Sequence, residues 1–260
     1  MHLNLHGDKM NQDHELQKLW EETFKIHSYE IDIKGNATLP VLCKTMQESA
    51  SNHAEHLHVG YDFLKKQKLI WVISRQLIHI YAYPRWGDTI TVHTWPSGKG
   101  RMYYQRDFKI LNQQSAVIGM ATTIWFTVDL ETRKPRKTGD FFTLDVEDAE
   151  QVFPYKLEKL NDIEKSDFSR TSEVSYFDLD IHAHVNNVRY IEWILESFSY
   201  DFQKGYTLKE IEINFISEAR VGDGVTVCCE EKGELTFLHN IVNNRNGKEL
   251  CRAKTKWDYN

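Results

Sequence analysis

Two rhythms of apolar residues alternate along the chain, and the alternation happens twice. Leu39, Leu42, Cys43, Met46 and Ala50 return at three- and four-residue steps, with Pro40 where a first helical turn tolerates it, and predict a helix. A second helix is predicted over 185–198. There Val188, Ile191, Leu195 and Phe198 share one face, while Tyr190, Trp193 and Ile194 make much of the remaining circumference apolar, the mark of a buried helix. β-rich runs follow each helix: 69–83, 89–95, 103–111 and 116–128 in the first half, then 207–216, 224–230, 234–243 and 249–257.

The second set of runs repeats the first. At a constant offset of 135, residues 75–92 align with 210–227 and match Ile78 with Ile213, Arg85 with Arg220, Gly87 with Gly222, Asp88 with Asp223, Thr91 with Thr226 and Val92 with Val227. Both stretches read as two strands joined by a Gly-Asp turn. Ala121, Thr123 and Trp125 then align with Ala253, Thr255 and Trp257 at an offset of 132. One helix followed by an antiparallel sheet, twice, is the predicted α+β architecture. The division expected is a leader over 1–20 with a short helix at 15–23, a first unit over 21–130, a linker over 131–170 and a second unit over 171–260. The linker is charged, contains Pro135 and Pro154, and reads as a long surface connection.

Composition narrows the class without naming a reaction. A chain of 260 residues, 41% of them hydrophobic, buries a core without disulfides or structural metal. Its net charge of -6, with no basic block, argues against broad attraction to nucleic acid or an anionic membrane. Cys43, Cys228, Cys229 and Cys251 show no zinc-type spacing, and adjacent Cys228 and Cys229 would face opposite sides of a strand. The chain has no 18-residue apolar stretch, so no membrane span is expected, and its start shows no signal-like apolar run; the expectation is a cytoplasmic protein.

The densest cluster of titratable and amide side chains lies where the second helix begins: Asp178, Asp180, His182, His184, Asn186 and Asn187. Unsatisfied N–H groups and the positive dipole end favour an anion or developing oxyanion at such a place. The spacing of two puts Asp180, His182 and His184 on one side of an extended segment. The plainer alternatives are that Asp180 or Asn186 caps the helix and that the histidines are solvated. Neither His182 with His184, nor His53 with His56 and His58, has a Cys or carboxylate at a recognisable ligand spacing, so no metal is expected.

The segment DLDIHAHVNNVRYIEWILES resembles the signature of the plant-type and bacterial acyl-acyl carrier protein (acyl-ACP) thioesterases, in which Asp-x-Asn-x-His-Val-Asn-Asn precedes an aromatic-rich helix ending in Leu-Glu-Ser. FKIHSYE, MQESASNH, LIWVISR, YPRWGD, Arg106-Asp107 and Trp125 stand in the family's order too, so the resemblance covers residues 24–257. It implies a tandem hot-dog fold, two long helices each wrapped by an antiparallel sheet. It also implies hydrolysis of a fatty acyl thioester carried on ACP, without a cofactor. Carried over by position, the family's catalytic Asp, His and Glu fall on Asp180, His184 and Glu218, and its Asn falls on His182. Ala219 stands where many plant members have Cys, so water is the expected nucleophile.

On this reading Glu218 and His184 activate water, Asp180 orients His184 or its loop, and His182 assists as a donor. Backbone N–H groups around His184 to Asn186 are candidates for the oxyanion site, with Asn186 and Asn187 on the substrate side. Met46, Ala50, Trp71 and Ile73 are candidates to line an acyl tunnel in the first half, with ordinary core packing as the alternative for each. ACP is acidic, and Arg133, Lys134, Arg136 and Lys137 form the candidate docking cluster, with a solvated loop as the alternative. Preference for acyl-coenzyme A, or acyl-thioester binding without turnover, are the competing functions. A homodimer is left open.

Overall fold

Among the described residues ten strands form one sheet, and every neighbouring pair in it is antiparallel. The computed structural model describes residues 18–140, 142, 144, 146 and 149–260. The first half runs β1 (Trp20–Lys25), α1 (Leu39–His56), α2 (Tyr61–Lys66), β2 (Leu69–Ile80), β3 (Thr89–Lys99), β4 (Tyr104–Leu111) and β5 (Val117–Asp129). The second runs β6 (Phe168–Glu173), α3 (Asn187–Glu196), α4 (Tyr200–Gly205), β7 (Tyr206–Phe215), β8 (Gly224–Glu231), β9 (Thr236–Asn243) and β10 (Glu249–Tyr259). Every β-rich run of the sequence is a strand, and both expected long helices are present.

The strand order β1-β3-β4-β5-β2-β7-β10-β9-β8-β6 is the same series written outward twice from the central pair β2/β7. In that pair Leu77 lies opposite Glu212, Ile78 opposite Ile211 and Gln76 opposite Ile213. Leu77 and Glu212 are also the residues that the 135-residue repeat equates. The two-fold axis of the repeat therefore passes between them, and the halves join through an unbroken hydrogen-bonded ladder.

Helices cover one face of this sheet. α1 lies across β3 and against α3, and Leu42 and Met46 share one buried cluster with Ile78, Ile191, Trp193 and Ile213. Full burial of each such side chain contributes on the order of 1.5–3 kcal/mol, which makes this two-helix core the main fastening between sheet and helices.

Three expectations need correction. Residues 15–17 of the anticipated short helix lie outside the described residues, and from Trp20 the chain is strand β1, pairing with β3 in a strict inside-outside alternation. That period of two suits a half-buried strand, not a helix. The second helix begins two residues later than expected because Asn186 caps it. The segment expected as a linker over 131–170 already contains the start of β6 at Phe168, and it does not merely pass over the surface. Phe153 and Leu157 pack on Leu77 at the dyad. Trp95 Nε1 donates to the Glu150 carbonyl (2.8 Å), Val152 N–H to buried Asp107 (2.8 Å) and Leu160 N–H to Asn214 (2.7 Å). From Glu150 to Leu160 the connection is a strap across the sheet face opposite the helices, whereas Phe142 and Leu144 pack beside α1 and Trp71.

Candidate active site

Asp180 builds the turn that leads into α3. Its Oδ1 accepts from the backbone N–H of His182 (2.8 Å) and of His184 (3.2 Å), while its own N–H donates to the His184 carbonyl (2.7 Å). Asp favours this role because its short carboxylate mimics a backbone acceptor. Ala183 takes the left-handed conformation that closes the loop, at φ 58°. Asn186 then accepts from Val188 N–H (2.9 Å), capping α3. Asp178 accepts from Ser175 N–H (2.7 Å) and pairs with Arg189 (3.0 Å).

Two expected assignments change here. The N–H groups of His184 and Asn186 are spent within the turn, on Asp180 and on the Asp178 carbonyl, so they do not serve an oxyanion. The Asn186 side chain is a cap; Asn187, not Asn186, faces the cleft.

The cleft holds about 710 Å³ and lies where the two halves meet. Ile70 to Ile73 of β2 form one wall; Asp180, His182, His184 and Asn187 lie at α3 entry; Glu218 follows β7. His184 Nε2 lies 3.4 Å from Glu218 Oε2, bringing together two residues 34 positions apart. The Asp180 carboxylate holds the turn that positions His184. His182 projects toward α2, its ring 5.8 Å from that of Tyr61.

Two neighbours of Glu218 escaped the sequence reading in these roles. Arg133, expected on a docking surface, reaches into the cleft and binds Glu218 Oε2 at 2.6 Å. The Tyr190 hydroxyl, buried at the base of the cleft, accepts from Ala219 N–H (3.1 Å), which leaves its own proton available. Burial pushes this phenol well above the usual tyrosine range, so the proton stays on oxygen. The helical pattern places Tyr190 on an apolar face, and its hydroxyl is the signal that this pattern passes over.

A smaller cavity of about 110 Å³ opens in the first half, lined by Ala50, Ala54, Val59, Trp71, Tyr104 and Leu144 among others. Trp71 lines both this cavity and the cleft. Ile73 is buried at the cleft wall. Met46 lies on neither surface; it is 1% exposed inside the main core, the plain packing role.

Of the remaining cluster, Arg136 pairs with Asp129 at 3.2 Å, while Lys134 and Lys137 are exposed on the surface. The histidines of α1 take a structural role: His53 is fully buried, with its Nδ1 3.0 Å from the Arg106 guanidinium. Among the described residues, no three His, Cys, Asp or Glu side chains converge as a metal site.

The first half keeps the same turn without the same chemistry. Asp32 Oδ1 accepts from Lys34 N–H (2.8 Å) and Asn36 N–H (3.1 Å), and Asp32 N–H donates to the Asn36 carbonyl (2.8 Å). Gly35, at φ 77°, stands for Ala183. Lys34 and Asn36 thus occupy the places of His182 and His184, and Tyr83 that of Glu218 in the 135-residue register. Lys34 Nζ donates to the Tyr206 carbonyl (2.8 Å) and Thr207 Oγ1 (3.2 Å), across to the second half. The turn of the first half thus carries no histidine, and no carboxylate stands at the place of Glu218.

The family model of the acyl-ACP thioesterase N-terminal domain matches residues 17–143, and that of the C-terminal domain matches 161–259. Oleoyl-acyl carrier protein thioesterase 2 of Arabidopsis thaliana is 29% identical over 92% of this chain and 76% of its own length. An acyl-ACP thioesterase from Bacteroides thetaiotaomicron superimposes with a TM-score of 0.83 at 26% identity, covering 93% of this chain and 98% of its own. The 12:0-ACP thioesterase from Umbellularia californica shares the fold at a TM-score of 0.80 and 23% identity, over 99% and 100% of the two chains. With both halves matched and the hot-dog fold shared, the chain belongs to the acyl-ACP thioesterase family of thioester hydrolases.

Proposed function

We propose that this protein hydrolyses the thioester of fatty acyl-ACP to free fatty acid, with Glu218 and His184 activating water in the cleft. The approach of His184 Nε2 to Glu218 Oε2, at 3.4 Å, carries the reading. Water adds through oxygen to the thioester carbon while Glu218 takes its proton. The carbonyl oxygen, now negative, meets donors from Asn187 and the Tyr190 hydroxyl. As the C–S bond breaks, the sulfur leaves and recovers a proton through the Glu218–His184 pair. Asp180 touches none of the reacting atoms; it positions His184 by holding the turn.

His182 stands where the family signature has Asn. A neutral imidazole, like an amide, offers both a donor and an acceptor.

Free-thiol release from acyl-ACP and acyl-coenzyme A substrates of C8 to C18 tests the proposal. Glu218→Gln and His184→Ala are each expected to lower kcat by about 10²–10⁴, the usual worth of a positioned acid-base group. His182→Asn, which restores the residue of the family signature, is expected to retain turnover. Unchanged thioester recovered from a tight complex with the wild-type chain would replace hydrolysis by acyl-thioester binding, and faster turnover of coenzyme A substrates would move the carrier.

A further inference from the structure

Arg245 and Lys248, in the turn between β9 and β10, line the same cleft as His184 and Glu218, as does Arg220. All three are exposed, and none has a carboxylate within ion-pair distance among the described residues. That separates them from the other cations around the cleft, since Arg133 is held by Glu218 and Arg189 by Asp178 and Glu192. Asp223 also lines the cleft, where its carboxylate is taken by Arg220 N–H at 2.9 Å.

The turn is built, not slack. Asn243 N–H donates to the Lys248 carbonyl (2.9 Å), Arg245 N–H to Asn243 Oδ1 (2.9 Å) and Lys248 N–H to Asn246 Oδ1 (2.9 Å), with Gly247 at φ 67°. The molecule also carries its own control. Across the dyad the corresponding turn between β4 and β5, Asn112 to Ala116, closes through the same kind of bonds: Asn112 N–H to the Ala116 carbonyl (2.9 Å) and Gln114 N–H to Asn112 Oδ1 (3.0 Å). Its sequence, Asn-Gln-Gln-Ser-Ala, has no charge, whereas Asn-Asn-Arg-Asn-Gly-Lys has two cations. Arg220 has its counterpart in Arg85, so Arg245 and Lys248 are what distinguish the catalytic side.

We propose that Arg245 and Lys248, with Arg220 beside them, form a seat for the phosphate of the phosphopantetheine arm that delivers the thioester. The inference rests on the hydrolase reading above. With the thioester at His184 and Glu218, the arm leaves through the cleft, and the phosphate is the first anion along it. Unpaired guanidinium and ammonium groups on a fixed turn suit a phosphate, because they bind it by charge-assisted hydrogen bonds without first giving up a carboxylate. The corresponding turn of the first half, between β4 and β5, keeps the bonds and carries no cation.

Steady-state kinetics of the full chain with acyl-pantetheine, acyl-phosphopantetheine, acyl-coenzyme A and acyl-ACP test this, comparing wild type with Arg245→Gln/Lys248→Ala, the chemistry of the uncharged turn. KM for the three phosphorylated substrates is expected to rise about tenfold to a hundredfold, the worth of one or two charge-assisted bonds, with kcat kept. Acyl-pantetheine, which lacks the phosphate, should be unaffected. An equal change for acyl-pantetheine and acyl-phosphopantetheine, or none for either, overturns the proposal. So does a rise confined to acyl-ACP, which would assign the cations to the carrier's acidic surface. Calorimetric titration of phosphopantetheine itself keeps the test open if the wild type hydrolyses nothing: weaker binding to the double variant supports the seat, and equal binding removes it.

Discussion

Arg133 binds the same carboxylate oxygen of Glu218 that faces His184, at 2.6 Å from the guanidinium. The bond fixes the Glu218 side chain and also competes with water for Oε2. An ion pair this exposed contributes about 0–1 kcal/mol to stability, so on the proposed mechanism its effect falls on turnover. Arg133→Ala should lower kcat by about tenfold or less, far short of the loss on Glu218→Gln, with an unchanged melting temperature. A loss equal to that of Glu218→Gln would make Arg133 a full member of the acid-base set.

Trp71 is the partition between the cleft and the small apolar cavity. Its Nε1 donates to the Val59 carbonyl (3.0 Å), and its ring meets Tyr104 and Phe142 edge-on at 5.7 and 5.4 Å. At 110 Å³ the cavity lies below the roughly 300–1,000 Å³ of ordinary ligand pockets. Truncating the partition should therefore lengthen the accepted acyl chain. Trp71→Ala is expected to shift the thiol-release profile toward longer chains and to cost about 3–5 kcal/mol in urea unfolding. An unchanged profile would put the acyl chain elsewhere.

Ala183 and Gly35 fill the same left-handed position in the two related turns, at φ 58° and 77°. Nothing lies within 4 Å of a Cβ built on Gly35, so Gly35→Ala meets only backbone strain. It should cost about 1–2 kcal/mol. Ala183→Gly relieves the same strain but adds chain entropy of up to about 1 kcal/mol, leaving a net change near zero. Differential unfolding of the two variants checks the contrast, which would fail if both shifted alike.

His239 sits neutral in the core, its Nδ1 3.1 Å from Cys229 Sγ and its Nε2 2.8 Å from Thr255 Oγ1. Burial pushes its pKa down to about 3 from an ordinary 6.5. The unfolded chain therefore binds a proton that the folded chain refuses, and stability is present above pH 6.5 and lost as pH falls toward 3. Between pH 7.5 and 5 the loss should be about 2 kcal/mol. Urea titrations at the two pH values measure it, and His239→Gln should remove most of the difference.

The fold was largely legible because strand periodicity and a constant 135-residue offset survive in β2, β3, β7 and β8. The same register hid the Asp32 turn. Asp32 and Asp180 are 148 residues apart, chiefly because α1 has 18 residues where α3 has 10, and an ungapped repeat does not cross that difference. The proposal of Asp180, His184 and Glu218 comes from the motif, not from periodicity. Arg133 was assigned to the surface because the segment holding it has no rhythm, and only the folded chain brings it to Glu218. The strap was missed for a related reason: Phe153 and Leu157 are isolated apolar residues in a charged stretch, and their partner Leu77 is remote in sequence.

The axis between Leu77 and Glu212 also bears on how such a molecule is free to change. Two separate copies of one polypeptide would receive every substitution in both clefts at once, and a change that suited one role would be imposed on the other. Covalent joining removes that obligation. Lys34, at the place of His182, instead clamps the Tyr206 carbonyl across the junction, so one member of the paired turns has become a rivet between the halves.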